Sequence, residues 1–99
     1  MLNRYTGCLL GLACGDALGG AVEFRSREQI RADHPGGLRD FVGGGWLHLF
    51  PGEITDDTQM MLAIAESLAR GGPLNMDDIA TRFVAWFASR PKDIGNITR

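Results

Sequence analysis

Apolar and glycine residues fill the stretch from Tyr5 to Val22 almost without interruption. Within it, Gly7, Gly11, Gly15 and Gly19 recur at every fourth position, as do Ala13, Ala17 and Ala21. This pattern predicts a first helix from about Asn3 to Val22. Each glycine lowers helix propensity by up to about 1 kcal/mol relative to alanine, so the helix must be held by its surroundings. The spacing lines small residues along one side, where another backbone can approach closely. The expectation is a buried central helix of an all-helical packing.

Polar punctuation marks the later elements. Ser26-Arg27-Glu28-Gln29 has the form of a capping box and predicts a short second helix, ended by His34-Pro35-Gly36-Gly37. From there to Thr55 the chain reads as a glycine-rich loop, with Gly43-Gly44-Gly45 and Pro51-Gly52 surrounding Trp46, Leu47, Leu49 and Phe50. A loop of that length is usually functional or poorly ordered. Thr55 then caps a third helix that runs through Arg70 and stops at Gly71-Gly72-Pro73. Its apolar stripe is Met60, Met61, Ile64 and Leu68, the face expected to be buried. Asn75 caps a fourth helix with Asp77 and Asp78 in its first turn, a core face of Ile79, Phe83, Trp86 and Phe87, and Pro91 as its close. Met76, like the two methionines of the third helix, is expected to fill the core. No strand pattern or internal repeat emerges.

Composition narrows the function classes. The 99 residues are 44% hydrophobic and 22% charged, the balance of a soluble globular chain of one domain at most. Ten Lys and Arg against 12 Asp and Glu leave no basic excess for a phosphate backbone, which argues against nucleic acid as a partner. Asp16 interrupts the first apolar stretch, which is also short for a bilayer and lacks a clean cleavage site, so it reads as a buried helix and not as an export signal or membrane span. Cys8 and Cys14 would point in different directions from one helix, so they are expected as buried free thiols in a reducing, cytoplasmic compartment.

The strongest local signal is Gly52-Glu53-Ile54-Thr55-Asp56-Asp57-Thr58. A threonine cap and two aspartates at the positive end of a helix dipole would explain these residue types structurally. Phase argues for more: Asp56 lies four residues before Met60, and Asp57 lies three and four before Met60 and Met61. Both carboxylates are therefore expected at the top of the buried face, where adjacent like charges are costly unless something positive joins them. Arginine would serve, and so would a hard divalent cation taking oxygen from Thr55, Asp56 and Asp57. Asp16 is the only charged residue between Tyr5 and Val22, and Glu23 would share its helical face if the first helix continues. Desolvation makes Asp16 a site candidate; the simpler reading, slightly favoured for Asp16, is a bond to a neighbouring backbone or arginine, with Glu23 merely reaching solvent. His34 and His48 have no partner at metal-ligand spacing, and the Gly43 loop lacks a nucleotide-binding fingerprint.

Taken together, Gly11-x-x-x-Gly15-Asp16-Ala17-Leu18-Gly19, Glu23, Thr55-Asp56-Asp57-Thr58 and Pro91-Lys92-Asp93-Ile94-Gly95-Asn96 resemble the amino-terminal part of the ADP-ribosylglycohydrolase family in order and in spacing. The resemblance spans nearly all of residues 1–99 and implies an all-α fold of orthogonally packed helices, of which this chain is a partial, amino-terminal domain. It implies two divalent ions, Mg²⁺ or Mn²⁺, with Thr55, Asp56 and Asp57 as ligands. Glu23 would be the acidic residue near the metals and the scissile ribose, and Asp16 would support that shell. Gly95 and Asn96 would start a substrate loop without an assigned role. The implied reaction is hydrolysis of the glycosidic bond between ADP-ribose and a modified protein side chain or a related small molecule. Family members complete the metal site with a carboxy-terminal Asp-x-Asp-Thr or similar, which these residues lack. Half of the ligands are thus expected here, with a complementing carboxy-terminal chain as a partner. The alternatives are a non-catalytic helical module that binds ADP-ribose or a protein, and an inactive truncated remnant.

Overall fold

Four helices form where capping and turn residues allow them: α1 (Leu2–Gly19), α2 (Arg27–Asp33), α3 (Asp56–Ala69) and α4 (Met76–Ala88). The computed structural model describes residues 2–95. Among them the only extended pairing is an isolated antiparallel bridge between Gly44 and Leu49, so the protein is all-α. The chain divides into two units, Met1–Ile54 and Thr55–Arg99.

In the first unit, α1 stops at Gly19, short of the expected Val22. The Gly20 amide still bonds to the Asp16 carbonyl, and the chain then leaves the helix through turns closed by Val22 to Gly19 and Arg25 to Val22. Phe24 sits at φ +64°, a left-handed conformation uncommon for a residue with a Cβ, and it re-aims the chain before α2. Glu23 therefore lies in a turn beyond the helix and does not share a helical face with Asp16.

Nor is α1 a buried helix among these residues. Ala17 is its one buried residue, while Leu2, Tyr5, Leu9, Leu10 and Leu12 are exposed. A Cβ added at Gly7, Gly11, Gly15 or Gly19 would meet nothing within 4 Å, so the glycine side accepts no neighbouring backbone here. Cys8 and Cys14 are free thiols as expected, but exposed, because the helix that carries them is uncovered. No described helix is long and apolar enough to cross a membrane.

The capping box of α2 forms as the sequence predicts. The Gln29 amide donates to the Ser26 hydroxyl and the Ser26 amide donates to the Gln29 side chain. A 2.6 Å ion pair from Arg25 to Asp33 spans the helix. The glycine-rich segment that follows is ordered by backbone contact. Gly44 and Leu49 exchange both backbone hydrogen bonds around a four-residue turn, and Leu49 is buried.

The second unit is a helical hairpin. The Asn75 side chain accepts the Asp78 amide and starts α4. Pairs across the hairpin run in opposite order along the two helices, which makes them antiparallel. Trp86 donates to Gln59, Arg82 pairs with Glu66, and Arg70 and Ser67 both reach Asp78. This arrangement overturns the expected stripe on α3. The residues of α3 facing α4 are Gln59, Ala63 and Ser67 at four-residue spacing, whereas Ile64 and Leu68 are exposed at 38% and 54%. Small and polar side chains let the helices approach and hydrogen-bond, and the larger apolar side chains stay outside. On α4, Ile79 is buried, Phe83 and Trp86 are half-buried, and Phe87 and Met76 are exposed, so neither of the last two fills a core.

Candidate functional site

The Thr55-Asp56-Asp57 run sits at the start of α3, with acidic residues at the positive end of the helix dipole. Thr55 occupies the N-cap position in an extended conformation, but its side chain makes no capping hydrogen bond. It is nonetheless 7% exposed, and Thr58 one turn on is 2% exposed. The expectation that both carboxylates top a buried face is only half right, since Asp56 is half-buried and Asp57 exposed. The reason is the rotation of the α3 face described above: burial follows Thr55, Thr58, Ala63 and Ser67, not the methionines.

Just before this run, the Glu53 carboxylate accepts the Phe50 amide at 2.9 Å and closes the Pro51-Gly52 turn. Asp16 is half-buried in the last turn of α1. Gly95 is half-buried; Asn96, named with it as the start of a substrate loop, lies outside the described residues.

Glu23 has a partner that the sequence did not announce. The indole N–H of Trp46 donates to Glu23 Oε2 at 3.2 Å, across 23 residues of chain. The Trp46 ring also stands 5.5 Å, centroid to centroid, from Phe24, tilted by 59°. The backbone explains why the loop arrives there. A Cβ on Gly45 would lie 2.4 Å from the Gly20 carbonyl oxygen and 3.3 Å from the Ala21 backbone, so only glycine permits this approach. A tryptophan following three glycines is the visible sequence feature, but nothing local to it names Glu23 as its acceptor.

Thr55, Asp56 and Asp57 offer a hydroxyl and two carboxylates, hard oxygen donors that suit Mg²⁺ or Mn²⁺ better than softer ions. Among the described residues no group of three or more His, Cys, Asp or Glu side chains is gathered as a metal site. The donor chemistry fits a hard divalent ion.

The family model for ADP-ribosylglycohydrolases matches residues 1–99. The chain belongs to the ADP-ribosylglycohydrolase family. An ADP-ribosyl-(dinitrogen reductase) glycohydrolase of Rhodospirillum rubrum is 52% identical over 97 residues, covering 98% of this chain and 33% of the relative. The ADP-ribosylarginine hydrolase Tri1 of Serratia proteamaculans is 40% identical over 105 residues, covering 99% of this chain and 27% of the relative. The ADP-ribosylhydrolase ARH3 of Danio rerio is 32% identical over 95 residues, covering 92% of this chain and 24% of the relative. The chain thus spans a third or less of the length of these ADP-ribosylglycohydrolase relatives.

Proposed function

We propose that this chain is the metal-binding amino-terminal portion of a hydrolase that cleaves the glycosidic bond between ADP-ribose and a modified protein side chain. The observation that carries the reading is its 52% identity, over 98% of its length, to a protein named as an ADP-ribosyl glycohydrolase. Thr55, Asp56 and Asp57 would hold the divalent ion, Mg²⁺ or Mn²⁺. When bound there, such an ion would supply positive charge for ribose hydroxyls and for a water molecule. Two ions are expected in the complete site, with the remaining ligands from a complementing carboxy-terminal segment.

Glu23 carries the proton in this reading. Its carboxylate takes or gives a proton as the anomeric bond breaks, and its negative charge favours the oxocarbenium-like state through which that cleavage passes. Asp16, in the last turn of α1, is the supporting carboxylate in this reading. The substrate is an ADP-ribosylated protein or a related ADP-ribosyl compound, met in the cytoplasm.

Thermal unfolding of the chain by circular dichroism, with and without Mn²⁺ plus ADP-ribose, tests the binding half of this reading. Release of ADP-ribose from ADP-ribosylarginine, with the complementing carboxy-terminal segment supplied, tests the catalytic half. The expected result is a cooperative transition raised by the ligands, because only native-state binding stabilises, together with turnover. A raised transition without turnover would favour the non-catalytic binding module. A broad melt that ligands leave unchanged would overturn both.

A further inference from the structure

We infer that Trp46 is a positioning residue for Glu23: its indole N–H fixes one carboxylate oxygen and leaves Oε1 to carry the proton. This rests on the catalytic role proposed for Glu23. Four observations converge on it. The indole donates to Glu23 Oε2 at 3.2 Å. The Trp46 ring is braced against Phe24, the residue next to Glu23, at 5.5 Å. Phe24 holds a left-handed φ of +64°, a conformation that persists only where the surroundings impose it. Gly45, the residue before Trp46, seats its backbone on Gly20 and Ala21 with no space for a side chain.

The purpose of such bracing follows from where Glu23 sits. It lies in a turn past the end of α1, not on the helix, so no regular backbone ladder fixes its side chain. A glutamate there has three rotatable bonds and would spend much of its time away from any one geometry. An indole N–H is a donor only, with a single direction, on a ring held by two χ angles. Bonded to a carboxylate, it fixes both the rotamer of Glu23 and which oxygen remains for proton transfer. The other tryptophan is a built-in comparison, because Trp86 donates to the neutral amide of Gln59.

The test compares Trp46→Phe, which keeps a ring against Phe24 and removes the N–H, with the unsubstituted chain. In ¹H–¹⁵N spectra the Trp46 indole resonance should move on Glu23→Gln while that of Trp86 stays. With ADP-ribosylarginine as the probe and the complementing carboxy-terminal segment supplied, Trp46→Phe should lower kcat about 10- to 100-fold and leave KM within about twofold, the signature of lost orientation with binding retained. A Trp46 resonance indifferent to Glu23→Gln would overturn the contact. A kcat unchanged in Trp46→Phe would overturn the positioning role and leave the proposed function standing. An unsubstituted chain that does not turn the probe over with that segment supplied would overturn the proposed role of Glu23, and the positioning role with it.

Discussion

Gly45 and Gly20 meet backbone to backbone, close enough that a Cβ on Gly45 would lie 2.4 Å from the Gly20 carbonyl oxygen. Gly45 also holds a φ of +72°, which L side chains adopt at a cost. Gly45→Ala should therefore destabilise the fold by about 1–3 kcal/mol through strain and displaced backbone. Gly36 is the control, since its Cβ position is open and its φ is not in the left-handed region. Gly36→Ala should change stability by a few tenths of a kcal/mol at about the level of an exposed substitution. Urea unfolding of both variants decides the matter, and equal midpoints would sink the argument.

The α3–α4 hairpin has a second pair of contacts with separable roles. Asn75→Ala removes the side chain that accepts the Asp78 amide and should cost about 1 kcal/mol. Trp86→Phe removes the 2.8 Å bond to Gln59 and should cost a similar amount, about 1 kcal/mol. One loss acts at a helix end and the other between helices, with no shared partner. The double variant should accordingly lose about the sum of the two, which chemical denaturation measures directly.

Acid should weaken this hairpin through Asp78. Its carboxyl is held below the ordinary 3.8, first by the Ser67 hydroxyl, then by the hydrogen bond and charge of Arg82, with Arg70 adding to them. A carboxyl depressed in the folded state contributes stability that is present above its unfolded value and lost as pH falls through its folded value. The melting temperature should consequently fall as pH drops through the ordinary 3.8 and below it, and Asp78→Asn should flatten part of that slope. Ser67→Ala should flatten it in the same direction. A slope unchanged in Asp78→Asn would assign the acid sensitivity to other groups.

What was legible in the sequence was local. Ser26 with Gln29 and Asn75 with Asp78 are capping patterns three residues long, and both form as their spacing requires. The bounds of α3 and α4 followed from such punctuation. The buried face of α3 did not, because choosing the largest apolar residues as the core assumes that burial is driven by size. Here Gln59 accepts a hydrogen bond from α4 and Ser67 donates one to it, and Ile64 and Leu68 are left outside. The glycine stripe of α1 describes a surface that could receive a backbone, yet no described residue supplies one. The chain spans a quarter to a third of the length of the relatives it matches. Glu23 was recognisable as a candidate by its motif, but its bond to Trp46, 23 residues on, was not.

The proposed metal role of Asp56 and Asp57 separates cleanly from their structural role at the α3 N-terminus. Each carboxylate interacts favourably with the helix dipole, so Asp56→Asn or Asp57→Asn should lower the metal-free stability by about 0.3–1 kcal/mol whatever else the residue does. Asparagine keeps the shape of the side chain and one oxygen, but not the charge that a hard divalent ion requires. Mn²⁺ bound to the native state at about 100 times its dissociation constant adds about 2.7 kcal/mol of stability by mass action. That increment should shrink or vanish in either variant, and the half-buried Asp56 should be the more sensitive because less water is at hand to replace it. Melting curves of the three proteins with and without Mn²⁺ give both quantities from one experiment. A metal-free loss with the full Mn²⁺ increment retained would leave the aspartates as helix-terminal charges and remove them from the metal site.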